Sequence, residues 1–178
     1  MPKTQTYDID IKETAESSKE ISYILDDEYF KSLEDAQIQH GNVNAEMLIR
    51  KVSDGEYTLT MSIEGSVTVQ CDRCLDDMLQ PVKGESSYIV KFGETPDITD
   101  DVIIVDENNG ILNAAWLIYE VIALAIPIKH VHAPGKCNDA MTKKLEELSA
   151  TRSGDEIAED ATPDPRWAAL GKLNLTTD

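Results

Sequence analysis

The chain has 178 residues, enough to bury a sizeable core in one domain, and carries 34 acidic against 16 basic side chains, a formal charge of −18. That balance argues against affinity gained by neutralising phosphates on RNA or on an anionic membrane; it suits a basic protein partner or simple solubility. The opening "MPKTQTYDIDIKET" lacks the apolar core of a signal peptide, and the apolar run Ala114 to Ile126 is interrupted by Glu120 and too short to span a bilayer. With an odd count of three cysteines, these features make a reducing cytoplasm the expected compartment.

In chain order, "TYDIDIK" alternates from Tyr7 to Ile11 as a half-buried strand does. In "SYILDDEYFKSLEDA" the period changes: Ile24, Leu25, Tyr29 and Leu33 fit one side of a short helix, with Asp26 or Asp27 placed to cap it. Next, Val43, Ala45, Met47 and Ile49 alternate before an Asp54–Gly55 turn, and Tyr57, Leu59, Met61 and Ile63 alternate after it, which predicts a β-hairpin. Gly65 is expected to bend or bulge the second strand, which resumes through Val67 and Val69 to Cys71.

"GESSYIVKF" predicts a further strand, "ETPDITDD" an acidic turn and "VIIV" a short buried strand. "NNGIL" turns into "NAAWLIYEVIALAI", apolar on nearly every side and hence a central, largely buried helix, capped by Asn113 and stopped by Pro127. "NDAMTKKLEELSA" reads as a charged surface helix. The sum is an α+β fold: a mostly antiparallel β-sheet followed by a buried helix and C-terminal helices. Residues 1–150 form the expected domain. Residues 151–178 read as an acidic linker and a short amphipathic segment with Trp167, Leu170 and Leu173 on one side.

The chemistry gathers in two short stretches. "CDRC" places Cys71 and Cys74 three positions apart after a strand, and "KHVHAPGKC" brings His130, His132 and Cys137. A structural zinc takes four thiolate or imidazole donors in a tetrahedron. Cys71, Cys74, His132 and Cys137 make such a set, with His130 the competing fourth ligand, and thiolate-rich ligation favours zinc over magnesium or calcium. The bland alternative is that the cysteines are small buried hydrophobes. A redox pair fits less well, because Asp72, Asp76 and Asp77 crowd the thiols and disfavour thiolate. A catalytic metal would need an open position and a nearby base, yet the chain has neither H-E-x-x-H nor H-x-E before the cysteines. Glu120, alone in its apolar helix, reads as the wet strip of that helix more readily than as a tuned acid. An enzyme is the minority reading, and a metal-free acidic interaction module is the other.

"GSVTVQCDRCL", "WLIYEVIALAIPIKHVHAPGKC" and "DPRWAALGKL" occur in this order across roughly residues 40–173. They resemble the bacterial large ribosomal RNA subunit accumulation proteins, the YceD-like family. The match falls on Cys71, Arg73 and Cys74, then Glu120, Pro127, His132 and Cys137; it leaves His130 without a counterpart and so favours His132 as ligand. Where many members carry Asp before the apolar helix, this chain has Asn113. The resemblance implies a cytoplasmic, non-enzymatic role in large-subunit ribosomal RNA accumulation. Joined to the net charge, it makes a basic ribosomal protein or a pre-ribosomal particle the expected partner, rather than bare RNA.

Overall fold

The computed structural model describes residues 7–14, 18–34, 36–99 and 101–149. The chain divides into two compact units, Met1–Thr142 and Lys143–Asp178. The expected linker and amphipathic segment, 151–178, lie outside the described residues.

The first unit is α+β and dominated by strands. A six-stranded sheet has the order β2-β3-β4-β5-β7-β6, formed by β2 (Lys19–Leu25), β3 (Gly41–Ser53), β4 (Glu56–Gln70), β5 (Asp77–Gly93), β6 (Asp97–Thr99) and β7 (Val102–Asp106). A two-stranded sheet pairs β1 (Asp8–Asp10) with β8 (Ile111–Asn113). The unit's helices are α1 (Asp27–Ser32) and α2 (Ala115–Leu124), and α3 (Asp139–Leu148) runs across the boundary between the units. The main sheet is mixed rather than purely antiparallel, because β7 runs parallel to β5 from Ile89↔Val102 to Gly93↔Asp106. Among the described residues no helix is long and apolar enough to cross a membrane.

The β3–β4 hairpin forms where the alternation predicts it. Val43, Ala45, Met47 and Ile49 of β3 and Tyr57, Leu59, Met61 and Ile63 of β4 are all buried on one face. Gly55 takes the left-handed φ of +77° in the turn, a conformation that glycine adopts without a Cβ clash. Gly65 does not bulge the strand. It pairs in register with Val43 and Val82, and the register shift of this hairpin lies between Lys51 and Ser53. A Cβ at Gly65 would run into the Asn42 carbonyl oxygen and come within 2.6 Å of Val43 Cα, so glycine is there to let two strand backbones approach closely.

Four further expectations are corrected. Ile24 and Leu25 belong to strand β2 rather than to a helix: Leu25 points into the core and Ile24 out to solvent. The helix starts after them, with Asp26 Oδ1 accepting from Glu28 N at 3.0 Å and Tyr29 N at 3.3 Å, which satisfies donors that the first turn leaves open. The acidic turn after Gly93 contains strand β6, and the "NNGIL" turn contains β8. Asn113 is the last residue of β8, with Ala114 in the capping position of α2; its Oδ1 still accepts from Ala115 N at 3.1 Å.

Helix α2 is half-buried, not buried all round. Leu117, Ile118, Tyr119, Val121 and Ile122 enter the core, while Trp116, Glu120 and Leu124 are exposed. Its aromatic and backbone contacts tie distant segments together. Tyr29, on α1, donates from its hydroxyl to Ala115 O at 2.8 Å, and the Tyr119 hydroxyl accepts from Gln37 N at 2.8 Å. None of the residues of α3 is buried, as expected of a charged surface helix.

Candidate metal centre

Strands β4 and β5 pair from Glu56↔Lys91 down to Gln70↔Asp77, so residues 71–76 form the turn at one end of the sheet. Cys71 N donates to Asp76 O at 2.9 Å and Leu75 N donates to Cys71 O at 2.9 Å. This tightness drives Leu75 to a left-handed φ of 63°, which L-residues with side chains disfavour. Cys71 and Cys74 are both buried on this turn.

The second half of the site follows α2. Beyond Pro127 the chain lies against the turn: Asp72 N donates to His130 O at 3.0 Å, and His130 N donates to Asp72 Oδ2 at 2.7 Å. These reciprocal bonds staple two loops almost sixty residues apart in sequence. Ala133 O then accepts from Lys136 N at 3.0 Å in a turn where Gly135 takes a φ of +75°, and this turn presents Cys137 beside the first pair. Asn138 Oδ1 accepts from Ala140 N at 3.0 Å and Met141 N at 3.3 Å, so α3 begins directly after Cys137.

The ligand atoms of Cys71, Cys74, His132 and Cys137 all lie within 4.8 Å of one another. Cys71 Sγ is 3.9 Å from Cys137 Sγ, and Cys74 Sγ is 3.3 Å from His132 Nδ1. A tetrahedral zinc with Zn–S near 2.3 Å and Zn–N near 2.05 Å has S···S edges of about 3.8 Å and S···N edges of about 3.5 Å. These two separations match within a few tenths of an ångström, the others lie within 4.8 Å, and all three cysteines are free thiols. The group can hold a metal ion.

His130 is placed differently. Its Nδ1 faces Pro127 O at 3.1 Å, and its Nε2 lies 3.5 Å from Asp72 Oδ1; it is not among the clustered donors. Asp72, which the sequence suggests only as a charge unfavourable to thiolate, holds the two loops together. Nothing local in the sequence marks it for that work, because its partner becomes visible only when the loops face each other. Arg73 contributes its backbone, with N donating to Cys71 Sγ at 3.5 Å, and Glu120 lies exposed on α2.

The thiols are unequal. Burial pushes the Cys71 thiol up, but the backbone N–H groups of His132, Cys74 and Arg73 donate to its sulfur, with the His132 ring adding to them, and together bring it down to about 6. Burial also pushes Cys137 up; there the neighbouring sulfurs of Cys71 and Cys74 act in the same direction and carry it to about 11. A thiolate at Cys71 needs no help from a cation; one at Cys137 does.

The architecture is therefore a strand-rich α+β domain with a cysteine–histidine cluster at one end of its sheet. Residues 59–174, well over half of the chain, match the family model described as "Large ribosomal RNA subunit accumulation protein YceD". The chain belongs to this family. Comparison with curated proteins and with solved structures gives no significant match.

Proposed function

We propose that this chain is a non-enzymatic accessory factor in the accumulation of large-subunit ribosomal RNA, acting in the cytoplasm, with one structural zinc held by Cys71, Cys74, His132 and Cys137. Family membership carries the ribosomal part of this reading. The convergence of four soft-to-borderline donors within 4.8 Å, with two of their separations near tetrahedral edges, supports the zinc. Four protein donors fill a tetrahedron and leave no place for a reacting water, which favours a staple over a catalytic centre. The ion would tie the β4–β5 turn to the loop after α2.

The partner is the protein component of a pre-ribosomal particle. A charge of −18 repels bare RNA at long range and attracts basic protein surfaces. Deletion of the chain is expected to leave cells short of large subunits in a sedimentation profile, with the purified protein co-sedimenting with pre-large-subunit particles. An unchanged profile on deletion overturns the ribosomal reading. A strong, sequence-independent affinity for free RNA that falls steeply with salt overturns the choice of a protein partner.

A further inference from the structure

An open cleft of about 770 Å³ lies beside the Cys/His cluster, between the 37–40 segment, the end of β4 with its turn, and the end of α2 with the chain beyond it. Val69, Tyr119 and Ile126 line it with apolar surface and Asp77 and Asp72 with carboxylates, that of Asp72 also accepting from His130 N at 2.7 Å. Among the described residues, no lysine or arginine lines it. At the cleft stand two large apolar side chains that a folded chain normally hides, Leu75 at 60% exposure and Ile128 at 102%.

Leu75 is the informative residue. Its φ of 63° is one that glycine adopts freely and leucine does not. The chain thus carries a large side chain at a strained backbone position, and the fold gains little burial from it. An observed strain of this kind points towards a use outside the fold. Leu75 and Ile128 also sit on different halves of the Cys/His clamp, so whatever closes the clamp fixes the distance between them.

The geometry points to this cleft as the docking site for a basic, aliphatic segment of a protein partner, with leucine- or isoleucine-like side chains packing on Leu75 and Ile128 and a lysine or arginine meeting Asp72 and Asp77. Apolar anchors supply the affinity at such a surface and the carboxylates the selectivity. The assignment rests on the protein-partner reading above, and closing the metal clamp sets the two anchors in place.

The test uses the zinc-loaded full chain and a labelled synthetic peptide alternating lysine and leucine, with lysine–serine and glutamate–leucine peptides as controls. The lysine–leucine peptide is expected to bind and to shift amide signals of residues 68–77 and 123–130. Leu75→Gly relieves the backbone strain, so its thermal stability should hold or rise while affinity falls about tenfold, the size expected for one lost anchor. Ile128→Ser and Asp77→Lys should each weaken binding to a similar degree, and chelation should weaken it in the wild type. Equal binding of the lysine–serine peptide, or affinities within about twofold of wild type in all three variants, overturns the cleft. So does a homopolymeric RNA that shifts the same residues more strongly than the peptide.

The two readings fail separately. If the wild type and the Leu75→Gly/Ile128→Ser chain co-sediment equally with pre-ribosomal particles, the cleft falls and the ribosomal role stands. If the peptide binds as expected but the wild type does not co-sediment, the ribosomal role falls and the cleft stands.

Discussion

Strand β4 joins two regions held together by different physics. Along most of its length it is one row of a distributed apolar core, with Leu59, Met61, Ile63 and Val67 all buried against neighbouring strands and helices. At its end, Cys71 belongs to a cluster in which four donor atoms lie within 4.8 Å, and the nearby turn, the loop after α2 and the last residue of α2 expose Leu75, Ile128 and Leu124. The core spreads its stabilisation over many interchangeable side chains, since volume and pattern are what it requires. On the proposed zinc reading the clamp concentrates its stabilisation in a few atoms whose element and position admit no substitute. Damage to the first should therefore be graded, and damage to the second all-or-none.

Phe30→Ala probes the core. The side chain is fully buried and packs so closely on Gly41 that a Cβ there would come within 2.7 Å of its ring. Truncation should cost about 3–5 kcal/mol in denaturant unfolding, with the same loss whether or not a chelator is present. If the chelator-dependent part of the stability disappears in Phe30→Ala, core and clamp are energetically coupled and the distinction breaks.

Zinc removal probes the clamp and is expected to have the next largest effect. On the proposed zinc reading, free metal about a hundredfold above its Kd adds about 2.7 kcal/mol to the stability of the loaded chain. Chelation should lower the wild-type Tm accordingly. Cys74→Ser should start lower and then ignore the chelator, with metal content falling well below one ion per chain. A wild-type Tm that chelation leaves unmoved would reduce the cluster to packed thiols.

The two regions also differed in how far the sequence exposed them. The hairpin was legible because its apolar residues keep period two on both sides of Asp54–Gly55. Strand β2 was not: "KEISYIL" is a partly exposed edge strand whose last two apolar residues run directly into the cap of α1, so they share a helix-like spacing with Tyr29 and Leu33. The first part of β5, "DMLQPVK", carries no clear alternation and contains Pro81, so the expected strand begins only at Gly84. Among the described residues this part pairs only with β4, since β7 begins opposite Ile89. Ile89 N points away from β4, to Asp101 O at 2.7 Å, and Pro81 has the same parity; its missing N–H therefore falls on the open edge, where proline is tolerated. Cross-strand pairing, which no local pattern records, holds that segment extended. In the cluster the three cysteines stood out by residue type, whereas His132 was preferred to His130 only through the family resemblance. The Asp72–His130 staple, the strained Leu75 and the cleft were not legible, because each arises only when two distant loops meet.

The smallest expected effect separates the thiols within the clamp. Cys71 sits at about 6, below its ordinary value of 9.0, so the metal-free fold gains stability from it above that ordinary value and loses the gain as pH falls through about 6. Cys137 sits at about 11 and acts in the opposite sense: its contribution is present below the ordinary value and is lost as pH rises through about 11. At pH 7 the metal-free cluster then favours a thiolate at Cys71 and a thiol at Cys137. A metal takes only the thiolate, so loading zinc at pH 7 must expel the Cys137 proton. Calorimetric titrations in buffers of different ionisation enthalpy should show at least about one proton released per zinc, with more released below pH 6, where Cys71 must also give up its proton. If no proton leaves at pH 7, Cys137 is either ionised beforehand or not a ligand. Metal content of Cys137→Ser at that pH tells these apart, since only a ligand's loss empties the site.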